Sequence, residues 1–214
     1  MTFATRSAAQ KRVLNTGSGH YRPEKLHQAF HGGRWSEVRL DIDSSVKPDV
    51  VGSVRDMRAF ASDGSYDAIW SSHNVEHLHS HEVSPTFREF TRVLNPEGFA
   101  LITCPDLEAV ARLVADNRED EIMYVSPAGP ITPLDMLFGH SASVAAGNHF
   151  MAHNTGFTAD RLGRVALAAG FREVRIMKGS FCDIWALALM PKARLDQITP
   201  LFEGTEQFSL VGWE

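Results

Sequence analysis

A chain of 214 residues, 43% of them apolar, is the usual size of one domain and can bury a sizeable core. Its formal charge of −5, from 21 Lys and Arg against 26 Asp and Glu, and the absence of basic clusters argue against nucleic acid as a partner and favour a small molecule or peptide. No apolar run approaches the roughly 18 residues of a membrane span, and the first residues, MTFATRSAAQKRV, lack a secretory apolar segment, so no membrane partner and a cytoplasmic location are expected.

Short apolar runs alternate with helical patterns from Arg12 to about Met190, which predicts α/β architecture: a doubly wound, Rossmann-like sheet, mostly parallel, with a C-terminal antiparallel hairpin strand. The first strand reads Arg12 to Asn15 and breaks at Thr16-Gly17-Ser18-Gly19; Pro23 then opens a predicted helix through Phe30, since its fixed φ suits a first turn. Glu37 to Leu40, ending in Asp41, reads as the second strand, Val50 to Gly52 as a short third, and Tyr66 to Trp70 as the fourth. Val83, Phe87, Phe90, Val93 and Leu94 recur at helical spacing before Asn95-Pro96-Glu97-Gly98 ends the helix. Phe99 to Cys104 is the fifth strand, stopped by Pro105, and Leu107 to Val114 a further helix. Cys104 and Cys182 lie outside any Cys-x-x-Cys spacing and read as reduced structural thiols.

From 118 to 157 the pattern lapses into a Pro- and Gly-rich stretch, too long for a plain connection and so read as a substrate-side insert that carries small helices or a lid. Thr158 then caps a predicted helix through Ala169, closed by Gly170 and followed by strands at Val174 to Met177 and Ile184 to Leu189. The tail at 192–214 is polar, with Phe202, Phe208 and Trp213 available to cap the domain or to join a homodimer contact. One domain over 1–214 is expected, with that insert and that tail.

The glycine turn lets a ligand approach the backbone between the first strand and its helix, with Thr16, Ser18 and His20 around it. Tyr21 stands where a dinucleotide fingerprint wants a small residue, which favours a smaller nucleoside cofactor. Asp41 follows Gly19 by 22 residues at the end of the second strand, where a carboxylate can accept from both ribose hydroxyls.

These features resemble the class I S-adenosylmethionine-dependent methyltransferases, particularly the family labelled methyltransferase type 11, over about residues 11–106. The resemblance rests on Val13-Leu14-Asn15-Thr16-Gly17-Ser18-Gly19, with Asn15 in the usual acidic position, on Leu40-Asp41-Ile42-Asp43, and on Val51-Gly52-Ser53-Val54. It rests most on Tyr66 to Leu78 (YDAIWSSHNVEHL) and Arg88 to Gly98 (REFTRVLNPEG). It implies S-adenosylmethionine as cofactor, with Asn15, Thr16, Gly17, Ser18 and Gly19 around it. Asp41 would lie on the ribose, Ile42 on the adenine ring, Ser53 and Val54 in the adenine segment, and Ser72 and His73 at the methionine end. Glu76 and His77 would open the next helix and shape the pocket floor.

Methyl transfer is an in-line displacement that needs alignment rather than a protein nucleophile, but a hydroxyl acceptor benefits from a base near neutrality. His140, His149 and His153 in the insert are the candidate catalytic residues for that duty, with Tyr124 and Asp135 nearby. His149 and His153 would share a face if helical, yet lack a third ligand at metal-site spacing, so no metal is expected. The reading is methyl transfer to an oxygen or nitrogen of a small molecule or peptide. The alternatives are a noncatalytic or regulatory nucleoside-binding or protein-binding module on the same fold, and a nucleotide-using oxidoreductase, which Tyr21 disfavours.

Overall fold

The computed structural model describes residues 10–212. In chain order it contains β1 (Lys11–Thr16), β2 (Trp35–Asp41), β3 (Val50–Val51), β4 (Tyr66–Ser72), α1 (Ser80–Val93), β5 (Leu94–Pro105) and α2 (Leu107–Ala115). The segment 118–157 holds a hairpin of β6 (Tyr124–Ser126) and β7 (Gly129–Ile131), then α3 (Pro133–Phe138) and α4 (Ser141–Ala145). After it come α5 (Ala159–Ala169), β8 (Glu173–Lys178), β9 (Asp183–Leu189) and α6 (Leu195–Phe202).

Seven strands form one sheet in the order β3-β2-β1-β4-β5-β9-β8. β9 pairs antiparallel with both β5 and β8, while β1 to β5 pair in parallel, as expected from the sequence. The central strands are apolar nearly throughout because both faces are covered, and alternate residues face opposite ways. Leu14, Ile69, Ile102 and Ala186 pack with Val83, Phe87 and Phe90 of α1 and Leu162 and Ala166 of α5. Val13, Trp70, Leu101 and Leu187 face a second layer built from Phe30, Ile198, Phe202 and Leu210.

That second layer departs from expectation at one element. Pro23 to Phe30 is no α-helix but two single 3-10 turns, Pro23–Lys25 and Gln28–Phe30. Leu26 and His27 between them are extended, and the His27 ring accepts from the Ala29 amide at 3.1 Å, so this side chain takes the donor that a continuing helix would use. Eight residues ahead of Gly32-Gly33 are also too few to offset helix nucleation. The uncovered sheet face is taken by the tail, where Phe202 is fully buried and Trp70 donates from Nε1 to the Lys25 carbonyl at 2.9 Å.

Elsewhere boundaries move by a few residues. β5 begins at Leu94, so Asn95 to Gly98 run into the strand, with an irregular register between Tyr66 and Ala68. Thr158 caps α5 through the Arg161 amide and Gly170 closes it at φ +113°. Phe208 is 42% exposed, and Trp213 lies outside the described residues. Among the described residues no helix is long and apolar enough to cross a membrane.

Candidate active site

The order of strands reverses between β1 and β4, and ligands of open α/β sheets bind beyond the carboxyl ends of the strands at that point. There the chain leaves β1 through Gly17 and Gly19, at φ +63° and +61°, conformations that side-chain-bearing residues rarely adopt. A Cβ on Gly17 would collide with the Asn74 side chain, and one on Gly19 would come within 2.9 Å of Lys25 Nζ. Asp41, at the end of β2, braces the turn: Oδ2 accepts from the Gly19 amide at 2.8 Å and Oδ1 from the Asp43 amide at 2.9 Å. One lone pair on each oxygen is left for a ligand.

A cleft of about 1280 Å³ opens here and is lined by Asn15, Gly17, Ser18, Gly19, Asp41, Ile42, Ser53, Val54, Ser72 and His73. Thr16, expected beside them, instead turns away from the cleft: it is fully buried, and its hydroxyl donates to the Trp70 carbonyl. Ile42 is 50% exposed, an apolar side chain left open at the strand end. Asn15 donates from Nδ2 to Glu37 Oε1 at 2.7 Å, and the Ser53 hydroxyl accepts from the Arg55 backbone amide and Nε. Because Pro23 to Phe30 is not a helix, the turn is backed by no helix N-terminus. Lys25 is there instead, a cation that the sequence did not single out; burial, with Arg22 nearby, lowers its pKa while Asp41 opposes the shift.

The insert supplies the other wall, where His140, His149 and His153 line the same cleft. His140 shares a 2.7 Å bond through Nδ1 with the Ser143 hydroxyl. His149 begins a 3-10 turn, His149–Met151, that ends before His153, so the two do not share a helix face. His153 packs against His77, with ring centroids 4.8 Å apart. Asp135 is spent on structure: it accepts from Ser141 and Thr132 through amides and hydroxyls. Burial alone would raise its pKa, but these bonds outweigh that and hold it at about 2.

At the end of β4, His73 takes the left-handed conformation at φ +46°, a strained position of the kind found at functional sites. Its Nδ1 lies 3.3 Å from Glu76 Oε1. Burial opposes protonation of His73, but the Glu76 carboxylate, with Asp183 beyond it, prevails and raises its pKa. Glu76 is itself 1% exposed; burial pushes its pKa up, but His73 and the neighbouring imidazoles bring it below the ordinary value. Burial lowers the pKa of His153. Glu76 and His77 sit in a 3-10 turn, Val75–His77, rather than at the start of α1.

The sheet order and the position of the cleft are shared with solved structures of SAM-dependent methyltransferases, so the chain has their fold. Residues 23–102 match the family model described as a methyltransferase domain, type 11. No curated protein sequence matches it significantly. Among solved structures, it resembles a SAM-dependent methyltransferase from Archaeoglobus fulgidus at 16% identity and a TM-score of 0.56, over 85% of this chain and 86% of that one. A protein from Pyrococcus horikoshii OT3 aligns at 14% identity and a TM-score of 0.57, over 85% and 82%. A third is the Burkholderia thailandensis 1,6-didemethyltoxoflavin-N1-methyltransferase with bound 1,6-didemethyltoxoflavin and S-adenosylhomocysteine, at 13% identity and a TM-score of 0.51, over 85% and 71%.

Proposed function

We propose that the chain transfers a methyl group from S-adenosylmethionine to an oxygen or nitrogen of a small molecule or peptide in the cytoplasm, with 1–214 acting as one domain and 118–157 covering the acceptor. The observation that carries this reading is that the glycine turn, Asp41 and the insert histidines, distant in sequence, line one cleft. Its volume of about 1280 Å³ exceeds that of a typical single-ligand pocket and leaves room for cofactor and acceptor together.

The residues fit the cofactor. Asp41 keeps a free lone pair on each oxygen for the two ribose hydroxyls, and the exposed Ile42 offers an apolar surface to the adenine, flanked by Ser53 and Val54. With Nδ2 committed to Glu37, Asn15 presents its carbonyl oxygen to the ammonium group, and Lys25 supplies a cation for the carboxylate. Bound S-adenosylmethionine supplies an electrophilic methyl group whose leaving sulfur becomes neutral. The protein's part is alignment and the removal of an acceptor proton. His140, His149 and His153 face that task from the insert, and Ser72 and His73 from the sheet.

Calorimetric titration with S-adenosylmethionine and with S-adenosylhomocysteine tests the cofactor half: saturable binding is expected, and absence of both would refute it. Alanine at all three insert histidines should lower turnover on an identified acceptor while S-adenosylhomocysteine still binds. Unchanged turnover would remove the histidines from the reaction.

A further inference from the structure

On the acceptor side of the cleft a carboxylate oxygen of Glu76 and a ring nitrogen from each of His77 and His153 all lie within 4.8 Å of one another. Glu76 is 1% exposed, and among the described residues neither of its carboxylate oxygens accepts a hydrogen bond. His73 Nδ1 forms an ion pair with one of them, Oε1, at 3.3 Å, outside hydrogen-bond geometry, and the other oxygen is left without a hydrogen bond. A buried carboxylate with no hydrogen bond is unfavourable unless something else meets its charge.

The two imidazoles are held alike. His77 Nδ1 lies 3.0 Å from the Ala152 carbonyl, and His153 Nδ1 lies 2.8 Å from the Met136 carbonyl. A carbonyl only accepts, so Nδ1 of each ring is the donor and Nε2 is the nitrogen left to face a metal ion. Metal-binding histidines are oriented in this way, by donation from the second nitrogen to a carbonyl. The backbone is fastened as well: the amides of Asn154 and Thr155 donate to the Glu76 carbonyl at 2.9 and 3.1 Å, and Asn154 Nδ2 donates to the His77 carbonyl at 2.8 Å. Residues from the end of β4 and from the insert are thus tied together where the three side chains meet.

We propose that Glu76, His77 and His153 bind one divalent transition-metal ion, with open coordination positions toward the cleft. Two imidazoles and one carboxylate suit Zn²⁺, Co²⁺ or Mn²⁺ far better than Mg²⁺, which prefers oxygen ligands. Tetrahedral bonds of about 2.0 Å place ligand atoms about 3.3 Å apart, a closure within the range of side-chain rotation. The role of the ion rests on the methyltransferase reading: beside Ser72 and His73, it would hold an acceptor oxygen or nitrogen and ease its deprotonation. His153 then serves as a ligand, and base duty falls to His140 or His149.

The test uses the full chain without a histidine tag, stripped by chelator and titrated separately with Zn²⁺, Co²⁺, Mn²⁺ and Mg²⁺, while S-adenosylhomocysteine binding is measured in parallel. One equivalent of Zn²⁺ or Co²⁺ per chain is expected, with visible d–d absorption for Co²⁺ and no saturable binding of Mg²⁺. Glu76→Gln and His153→Ala should each weaken uptake at least about tenfold, as the loss of one ligand implies. His81→Ala, at a side chain 80% exposed, should leave uptake intact. If Glu76→Gln does not fold, His153→Ala and the cobalt spectrum of the unsubstituted chain decide. No saturable uptake of any transition metal, or uptake unchanged in His153→Ala, overturns the site. Uptake without S-adenosylhomocysteine binding would sustain the metal site and overturn the cofactor reading; binding of that ligand without uptake would do the reverse.

Discussion

At Gly17 two constraints coincide, a φ of +63° and the Asn74 side chain lying where a Cβ would go. Alanine there costs about 1–2 kcal/mol for the left-handed backbone alone, plus displacement of Asn74. Gly17→Ala should therefore lower Tm and abolish S-adenosylhomocysteine binding; adding Asn74→Ala should recover only the steric part, seen as non-additivity in a double-mutant cycle. For Asp41→Ala, the loss of charge-assisted hydrogen bonds worth about 1.5–3 kcal/mol corresponds to about 10- to 100-fold weaker binding by calorimetry. The turn and Asp41 were legible in the sequence because a glycine pair and an acidic strand end carry their chemistry locally. The grouping of Glu76 and His77 with His153 was not, because it depends on where a loop of irregular sequence folds back. The one local signal was a Glu-His pair between the apolar Val75 and Leu78.

Among elements, every strand of the seven-stranded sheet was visible as a short run between breakers, and most clearly the central ones, since burial on both faces of a parallel sheet leaves an apolar signature. The miss at Pro23 to Phe30 came from reading Pro23 as a helix start without weighing that His27 can satisfy the Ala29 amide. The insert was legible as an irregularity only: β6, β7, α3 and α4 span three to six residues each, below the length at which periodicity speaks. The tail read as polar, yet α6 covers the sheet face that a helix at 23–30 would have covered. Phe202, with no exposed surface, should accordingly behave as a core residue. Phe202→Ala is expected to cost about 3–5 kcal/mol in urea unfolding, whereas Phe208→Ala, at a residue 42% exposed, should cost far less.

The stability of the whole molecule should respond to pH in two separate windows. His27 is packed among Trp70, Trp185 and Phe202; it accepts from the Ala29 amide through Nδ1 and meets Gln207 Oε1 through Nε2. Burial lowers its pKa, with Gln207 opposing, so the unfolded chain takes up the proton first. Its contribution is complete above the unfolded value of about 6.5 and declines as pH falls below it. Asp135, held at about 2, adds stability that is complete above about pH 4 and disappears as pH falls toward 2. Urea midpoints measured from pH 8 to 3 should show a smaller first decline in His27→Phe than in the parent chain, the remainder coming from His153, whose pKa burial also lowers.

The placement of β9 also bears on how the chain is made. Residues 183–189 pair with Phe99 to Pro105 of β5 along one edge and with β8 along the other. During synthesis the amino-terminal strands can therefore assemble while β5 still presents a long, apolar, unpaired edge, the kind of template that recruits other chains. That edge closes only once the last strand has emerged. A nascent or prematurely ended chain of this protein is thus a candidate client for chaperones, and truncation after residue 178 should yield aggregates rather than a smaller soluble enzyme.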